Sequence, residues 1–164
     1  MTLVLLLGGA RSGKSKLALE RASQAGGPVT FIATGEALDD EMTSRIGRHK
    51  RERPQEWRTI EEPLDLARAV GSVPVDETMI IDCLSLWVAN LLGAQREPDG
   101  GALGVAVARS GVTIAVTNEV GMGIVPDNAL ARAYRDELGR VNAAWAAAAD
   151  EAYLVVAGRT VSLS

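Results

Sequence analysis

The sequence predicts an α/β domain, a mainly parallel central sheet buried on both faces and covered by helices to make three layers. Three observations predict it. Five apolar, partly β-branched runs punctuate the chain: Leu3–Leu7, Val29–Thr34, Thr78–Asp82, Val112–Thr117 and Ala152–Val156. Segments with helical spacing separate them, the pattern of parallel strands joined by helical crossovers. A glycine-rich turn stands directly after the first run and before the first helix. With 164 residues the expectation is one domain spanning 1–164, large enough for a single core.

Taken in order, Ser15 to Ala25 reads as a helix rich in Ala, Leu and Lys. Asp39 is a good N-cap for the next helix, in which Met42, Ile46 and His49 recur on one face, and Pro54 should stop it. Leu84, Trp87, Val88, Leu91 and Leu92 form an apolar stripe after the third run. The longest helix is expected from Pro126 to Ala149, with Leu130, Tyr134, Leu138, Val141 and Trp145 sharing a face and Asn128 helping to cap it. Between Gly93 and Ser110 the signal is poor. Pro98-Asp99-Gly100-Gly101 marks a turn, and Ala102 to Arg109 is short for a crossover helix, so an irregular connection is expected.

Composition narrows the function classes. The net charge of −4 argues against nucleic acid or an anionic membrane as partner, since both demand a basic surface. The lone Cys83 cannot form an internal disulfide, which fits a reducing, cytoplasmic setting. Leu3–Leu7 is too short for a membrane span or a signal peptide, and a buried strand is expected there.

Gly8-Gly9-Ala10-Arg11-Ser12-Gly13-Lys14-Ser15 satisfies G-x-x-x-x-G-K-[ST] between a strand and a helix. Glycines let the backbone curl so that successive N–H groups point at phosphate oxygens, and the following helix adds a favourable dipole. Lys14 is expected on the β/γ-phosphates and the Ser15 hydroxyl on Mg²⁺. Asp82, an acid ending a buried run, is the candidate second ligand of that ion; capping the helix at Leu84 is the alternative role.

From Arg45 to Arg58 the chain carries Arg45, Arg48, His49, Lys50, Arg51, Arg53 and Arg58 against Glu52 and Glu56. Either this is a phosphate-facing surface or a solvated helix face with Glu41–Arg45 and Arg48–Glu52 pairs. His49 is the only histidine. Its helical phase with Met42 and Ile46 suits a packed core residue. Its cationic neighbours, which disfavour imidazolium, suit a nucleophile. A metal site on His49 and Cys83 lacks any recognisable ligand spacing.

The P-loop GGARSGKS, the string DDEMTSRIGRHKRERPQEWRTIEEP, the strand end IIDC and TNEVGMGIVPDN before a long helix together resemble one family. It is the bifunctional adenosylcobinamide kinase / adenosylcobinamide-phosphate guanylyltransferases of cobalamin biosynthesis. The resemblance covers nearly the whole chain. It implies a P-loop, RecA-like fold, a homotrimer, and two reactions. A nucleoside triphosphate, ATP or GTP, phosphorylates adenosylcobinamide; GMP from GTP is then transferred to adenosylcobinamide phosphate through a guanylylated histidine, here His49. Nucleotide contacts are implied at Gly8 to Ser15, at Thr34, Gly35 and Glu36, at Lys50, Arg51, Glu52 and Arg53, at Glu61 and at Asp82. Two departures stand out: the stretch Arg96 to Ser110 is shorter than usual, and Asp82 stands where some members have Glu.

Competing readings are a small-molecule kinase with a structural His49 and a GTP-binding switch. The switch lacks support, because no [NT]-K-x-D string occurs. A RecA-type DNA-binding ATPase fits poorly without a basic, aromatic-bearing strand surface.

Overall fold

The computed structural model describes residues 2–37 and 39–163, apart from the side chains of residues 41 and 45. The expected Glu41–Arg45 pair therefore lies outside the described residues. A seven-stranded sheet runs in the order β3-β2-β4-β5-β1-β6-β7. Its strands are β1 (Thr2–Gly8), β2 (Val29–Ala33), β3 (Arg58–Glu61), β4 (Thr78–Asp82), β5 (Val112–Asn118), β6 (Glu151–Val156) and β7 (Arg159–Ser162). All neighbours are parallel except β6 and β7, which form an antiparallel hairpin. Strand β5 separates the P-loop strand β1 from the Asp82 strand β4.

Among the described residues six helices pack around the sheet: α1 (Lys14–Ala25), α2 (Asp40–Glu52), α3 (Leu66–Gly71), α4 (Leu84–Gly93), α5 (Gly101–Val107) and α6 (Ala129–Ala148). Alternation along β1 builds both inner layers. Leu3, Leu5 and Leu7 join a core with Ile81, Trp87, Val88, Leu138 and Trp145, under α3 to α6. Val4 and Leu6 face the other way, toward Phe31, Ile80, Ala18 and Ala22 under α1. A strand covered on both faces has no polar side to show, hence the unbroken apolar runs.

All five expected strands are present, as are the first-turn cap and stop of α2. Asp39 accepts from Met42 N at 2.7 Å, and the helix ends at Glu52, ahead of Pro54. Three expectations need correction. The long helix begins at Ala129, not Pro126; Asn128 is its N-cap, accepting from Ala131 N at 2.9 Å, and Leu130 is exposed rather than on the buried face. The 93–110 connection is not irregular, since α5 lies against α3, with Ala102 and Ala106 buried. Buried Arg109 secures the exit by donating to the carbonyls of Val73, Pro74 and Glu77 at 2.9, 3.0 and 2.6 Å. Finally, two strands escaped notice, both at sheet edges. β7 is exposed along its whole length and β3 along most of it, so neither carries an apolar run.

Candidate active site

Parallel pairing brings the C-terminal ends of five strands level, because Gly8 pairs with Asn118, Val116 with Asp82, and Ala33 with both Asp82 and Glu61. Ligands of open α/β sheets bind along this edge. Here the edge carries the P-loop, Asp82 and the overlying helix α2.

The P-loop is fixed by its surroundings. A Cβ on Gly8 would collide with the Val155 carbonyl of β6, so only glycine lets the loop leave the sheet there. Gly13, with φ 104°, turns the chain into α1 in a conformation that L side chains rarely adopt. The hairpin turn between β6 and β7 props the loop from outside, Gly158 N donating to Ser12 O at 2.8 Å. Buried Lys14 donates to the carbonyls of Gly8 and Gly9 at 2.9 and 2.7 Å. No side chain caps α1, so its first-turn amides suit an anionic ligand.

Helix α2 divides the space above the strand ends into two cavities. One, of about 600 Å³, is lined by the loop from Ala10 to Lys16, by Ser44, Arg48, His49 and Glu52 of α2, and by Asp82, Cys83, Val116 and Asn118. The other, of about 510 Å³, is lined by Ser15, Ala33, Gly35, Glu36, Ala37, Met42, Ile46, His49, Lys50, Arg53, Glu61, Glu62, Pro63, Asp82, Cys83 and Leu86. Helical phase accounts for the division. Ser44, Arg48 and Glu52 form one i, i+4 row; Met42, Ile46 and Lys50 form another. His49 sits at the boundary and, with Ser15, Asp82 and Cys83, lines both cavities.

His49 is thus not a packed core residue; about a quarter of its side chain (23%) is exposed. One of its charged neighbours is a carboxylate. Nδ1 lies 3.9 Å from Asp82 Oδ2, a Coulombic distance too long for a hydrogen bond. A carboxylate thus faces the ring, in cavities that Arg48, Lys50 and Arg53 also line. Asp82 does not take the capping alternative, because Cys83 is the N-cap of α4 and no side chain caps that helix.

On the second cavity, Arg53 is the unusual group. Its guanidinium stacks 3.4 Å from the Phe31 ring centroid, and its buried Nε and Nη1 have no hydrogen-bond partner among the described residues. Burial lowers its pKa against the raising influence of Asp82, Glu61 and Glu52, and the group stays charged. Lys50 pairs with Glu61 across the same cavity. Buried donors left open in a cavity wall are what a ligand's acceptors can satisfy.

Several residues expected at the nucleotide, Gly8, Gly9, Thr34 and Arg51, line neither cavity. The Thr34 hydroxyl is buried and fully engaged, donating to Cys83 O at 2.7 Å and accepting from Cys83 N at 2.9 Å, so it fixes β2 to β4 rather than facing a cavity. Gly8 and Gly9 shape the loop and hold Lys14. Arg51 is exposed and lines neither cavity. Asn118 was missed, although a polar residue ending an apolar run is the same signal that pointed to Asp82. It lines the P-loop cavity and donates to Ser85 Oγ at 3.1 Å, while Asn142 Nδ2 donates to its carbonyl at 2.9 Å. Cys83 is inert, since burial and then Asp82 push its thiol up to about 11.

Ser15 and Asp82 are the residues with the donor chemistry for Mg²⁺. Among the described residues no group of three His, Cys, Asp or Glu forms a closed metal cage. Mg²⁺ bound to nucleotides needs none, since phosphates and water complete its octahedron around one or two protein oxygens. The residues present fit that mode.

A family model described as cobinamide kinase / cobinamide phosphate guanyltransferase matches residues 4–163. The chain belongs to this family. It is 42% identical over 168 aligned residues to the bifunctional adenosylcobalamin biosynthesis protein CobP of Pseudomonas aeruginosa, covering 97% of this chain and 95% of the relative. To the bifunctional adenosylcobalamin biosynthesis protein CobU of Salmonella typhimurium it is 42% identical over 181 residues, covering 98% and 99%. The Escherichia coli protein of the same name is 40% identical over 180 residues, with the same coverage. All three alignments are longer than this chain's 164 residues, so the chain aligns with gaps against each relative. No helix among the described residues is long and apolar enough to cross a membrane.

Proposed function

We propose that this chain, acting as one domain, phosphorylates adenosylcobinamide and then guanylylates the product through His49. The observation that carries the proposal is the position of His49 between the P-loop cavity and the cavity of Arg53, Lys50 and Glu61. A nucleotide whose phosphates lie on Gly8–Ser15 and whose nucleoside lies on the α2–β3 side has its α-phosphate near the ring.

In the kinase step the acceptor hydroxyl oxygen bonds to the γ-phosphorus of ATP or GTP, the bond to the β-γ bridging oxygen breaks, the diphosphate leaves, and the hydroxyl proton is released to solvent. Lys14 and the loop amides neutralise the charge spreading over the phosphate oxygens. Mg²⁺, held by Ser15 and Asp82, supplies further charge neutralisation when bound. In the transfer step we assign Nε2 of His49 as nucleophile, since Nδ1 faces Asp82. A P–N bond forms at the α-phosphorus of GTP, the α–β bridging P–O bond breaks, and pyrophosphate leaves. A phosphate oxygen of adenosylcobinamide phosphate then attacks the same phosphorus, the P–N bond breaks, and adenosylcobinamide-GDP is released. Asp82 stabilises the ring orientation and any positive charge that develops on it. Arg53 offers its open N–H groups to the nucleotide in the second cavity. We further assign the protein to the cytoplasm as a homo-oligomer, a trimer by family likeness.

The test is mass spectrometry of the intact protein after exposure to GTP and Mg²⁺. A GMP adduct that is lost in acid and absent from His49→Ala is expected, while His49→Ala keeps its kinase activity. A protein that stays unlabelled in the presence of bound GTP leaves only the kinase reading.

A further inference from the structure

The motif TNEVGMGIVPDN is not used by the nucleotide site beyond Asn118, yet the segment that leaves the site there is apolar and exposed. Nine large hydrophobic residues are exposed among the described ones, and five of them, Val120, Met122, Ile124, Val125 and Leu130, lie in this one segment between β5 and the first turn of α6. Ile124 is 98% exposed and Met122 78%. Clustered apolar side chains in water mark a surface that meets something.

This segment is anchored at both ends. Glu119 N donates to Gly8 O at 3.1 Å, tying its start to the P-loop. Arg132 donates to the carbonyls of Pro126 and Asp127 at 2.9 and 2.7 Å, tying its end to α6. Its first residue neighbours Asn118, which lines the P-loop cavity. The rest of that cavity's rim is charged, with Arg11, Arg48 and Glu52 exposed upon it.

We infer that residues 120–130 are the platform on which the corrin ring of the acceptor rests. The inference builds on the acceptor proposed above and names where that acceptor sits. A corrin macrocycle with its amide arms and adenosyl ligand is too large for a cavity of about 600 Å³ that must also hold nucleotide phosphates. Only the arm that carries the acceptor hydroxyl enters, and the ring must lie outside the cavity. The methyl-bearing, largely apolar ring faces call for an apolar surface, and the 120–130 segment supplies it beside the phosphate-transfer point.

Because these side chains are exposed, polar substitutions leave the core intact. Met122→Ser and Ile124→Ser should each raise the KM for adenosylcobinamide in the kinase assay about tenfold, as loss of one buried apolar side chain implies. The KM for the nucleotide and the rate of GTP labelling of His49 without acceptor should stay within about twofold of the parent. Val75→Ser, an exposed apolar residue at the opposite end of the sheet, serves as the control and should change neither. An unaltered acceptor KM in both variants overturns the inference. So does a rise in KM accompanied by a change of oligomeric state in light scattering, which would make the segment a subunit contact. Failure of His49 to label in the parent protein bears on the transferase reading alone and leaves this test intact, since the kinase assay reports acceptor binding by itself.

Discussion

The two walls of the site are built on opposite principles. The P-loop wall is continuous with a strand buried on both faces, and it is held at several points: Gly8 against Val155, Ser12 by Gly158, Lys14 by the loop's own carbonyls. The α2 wall is a polar helix, and none of its described side chains joins either core cluster. It meets the rest of the protein through polar and cationic contacts, namely Lys50 with Glu61, Arg53 on Phe31 and His49 beside Asp82. The loop proposed to cradle phosphate therefore comes preorganised by the core, whereas the proposed nucleophile is carried on an element whose described side chains pack little against it. Substitutions on α2 should thus change activity with little cost in stability, and substitutions in the loop should affect every reaction that uses a phosphate.

The sharpest way to break this contrast is Lys14→Ala. Removing one preorganised charged donor from developing phosphate charge should lower kinase kcat/KM about 10²–10³-fold. His49 labelling should fall with it, because both steps share the cradle. If steady-state assays find only the kinase step impaired, the two reactions do not share one phosphate site.

A middle-sized effect is expected from Asp82→Asn, which lies on both cavities. It weakens a divalent-ion ligand and removes the charge facing His49, so half-maximal Mg²⁺ should rise about tenfold in kinase titrations, as loss of about 1.4 kcal/mol would give. An unchanged Mg²⁺ titration combined with slower labelling would confine Asp82 to the histidine.

Arg53→Lys should produce the smallest effect and sharpen the comparison most. The ammonium keeps the charge but loses the planar stacking on Phe31 and the fork of donors. We expect GTP binding in calorimetry to weaken about fivefold, with thermal stability within about 1 kcal/mol of the parent. A large loss of stability would instead make Arg53 a structural bridge between α2 and the sheet.

Legibility in the sequence followed the physics of each region. The P-loop was readable because backbone curvature and phosphate contact restrict residue types at fixed spacing within eight positions. Buried strands were readable because covering both faces forces an apolar run. β3 and β7 were not, as edge strands gain their pairing from the backbone and leave their side chains in water. The shift of the long helix from Pro126 to Ala129 has a related cause: Leu130 obeys the helical period yet serves the exposed rim.

The sequence by itself determined the sheet's buried strands, the phosphate loop and the family likeness, all of which rest on local spacing. Only the tertiary structure decided what faces His49, which cavity each cation serves, and that Thr34 is a tie between strands. These are contacts between residues tens of positions apart, fixed by the parallel register that brings Gly8, Ala33, Asp82 and Asn118 to one edge. A one-dimensional pattern records which side an amino acid prefers, and not which neighbour the folded chain sets against it.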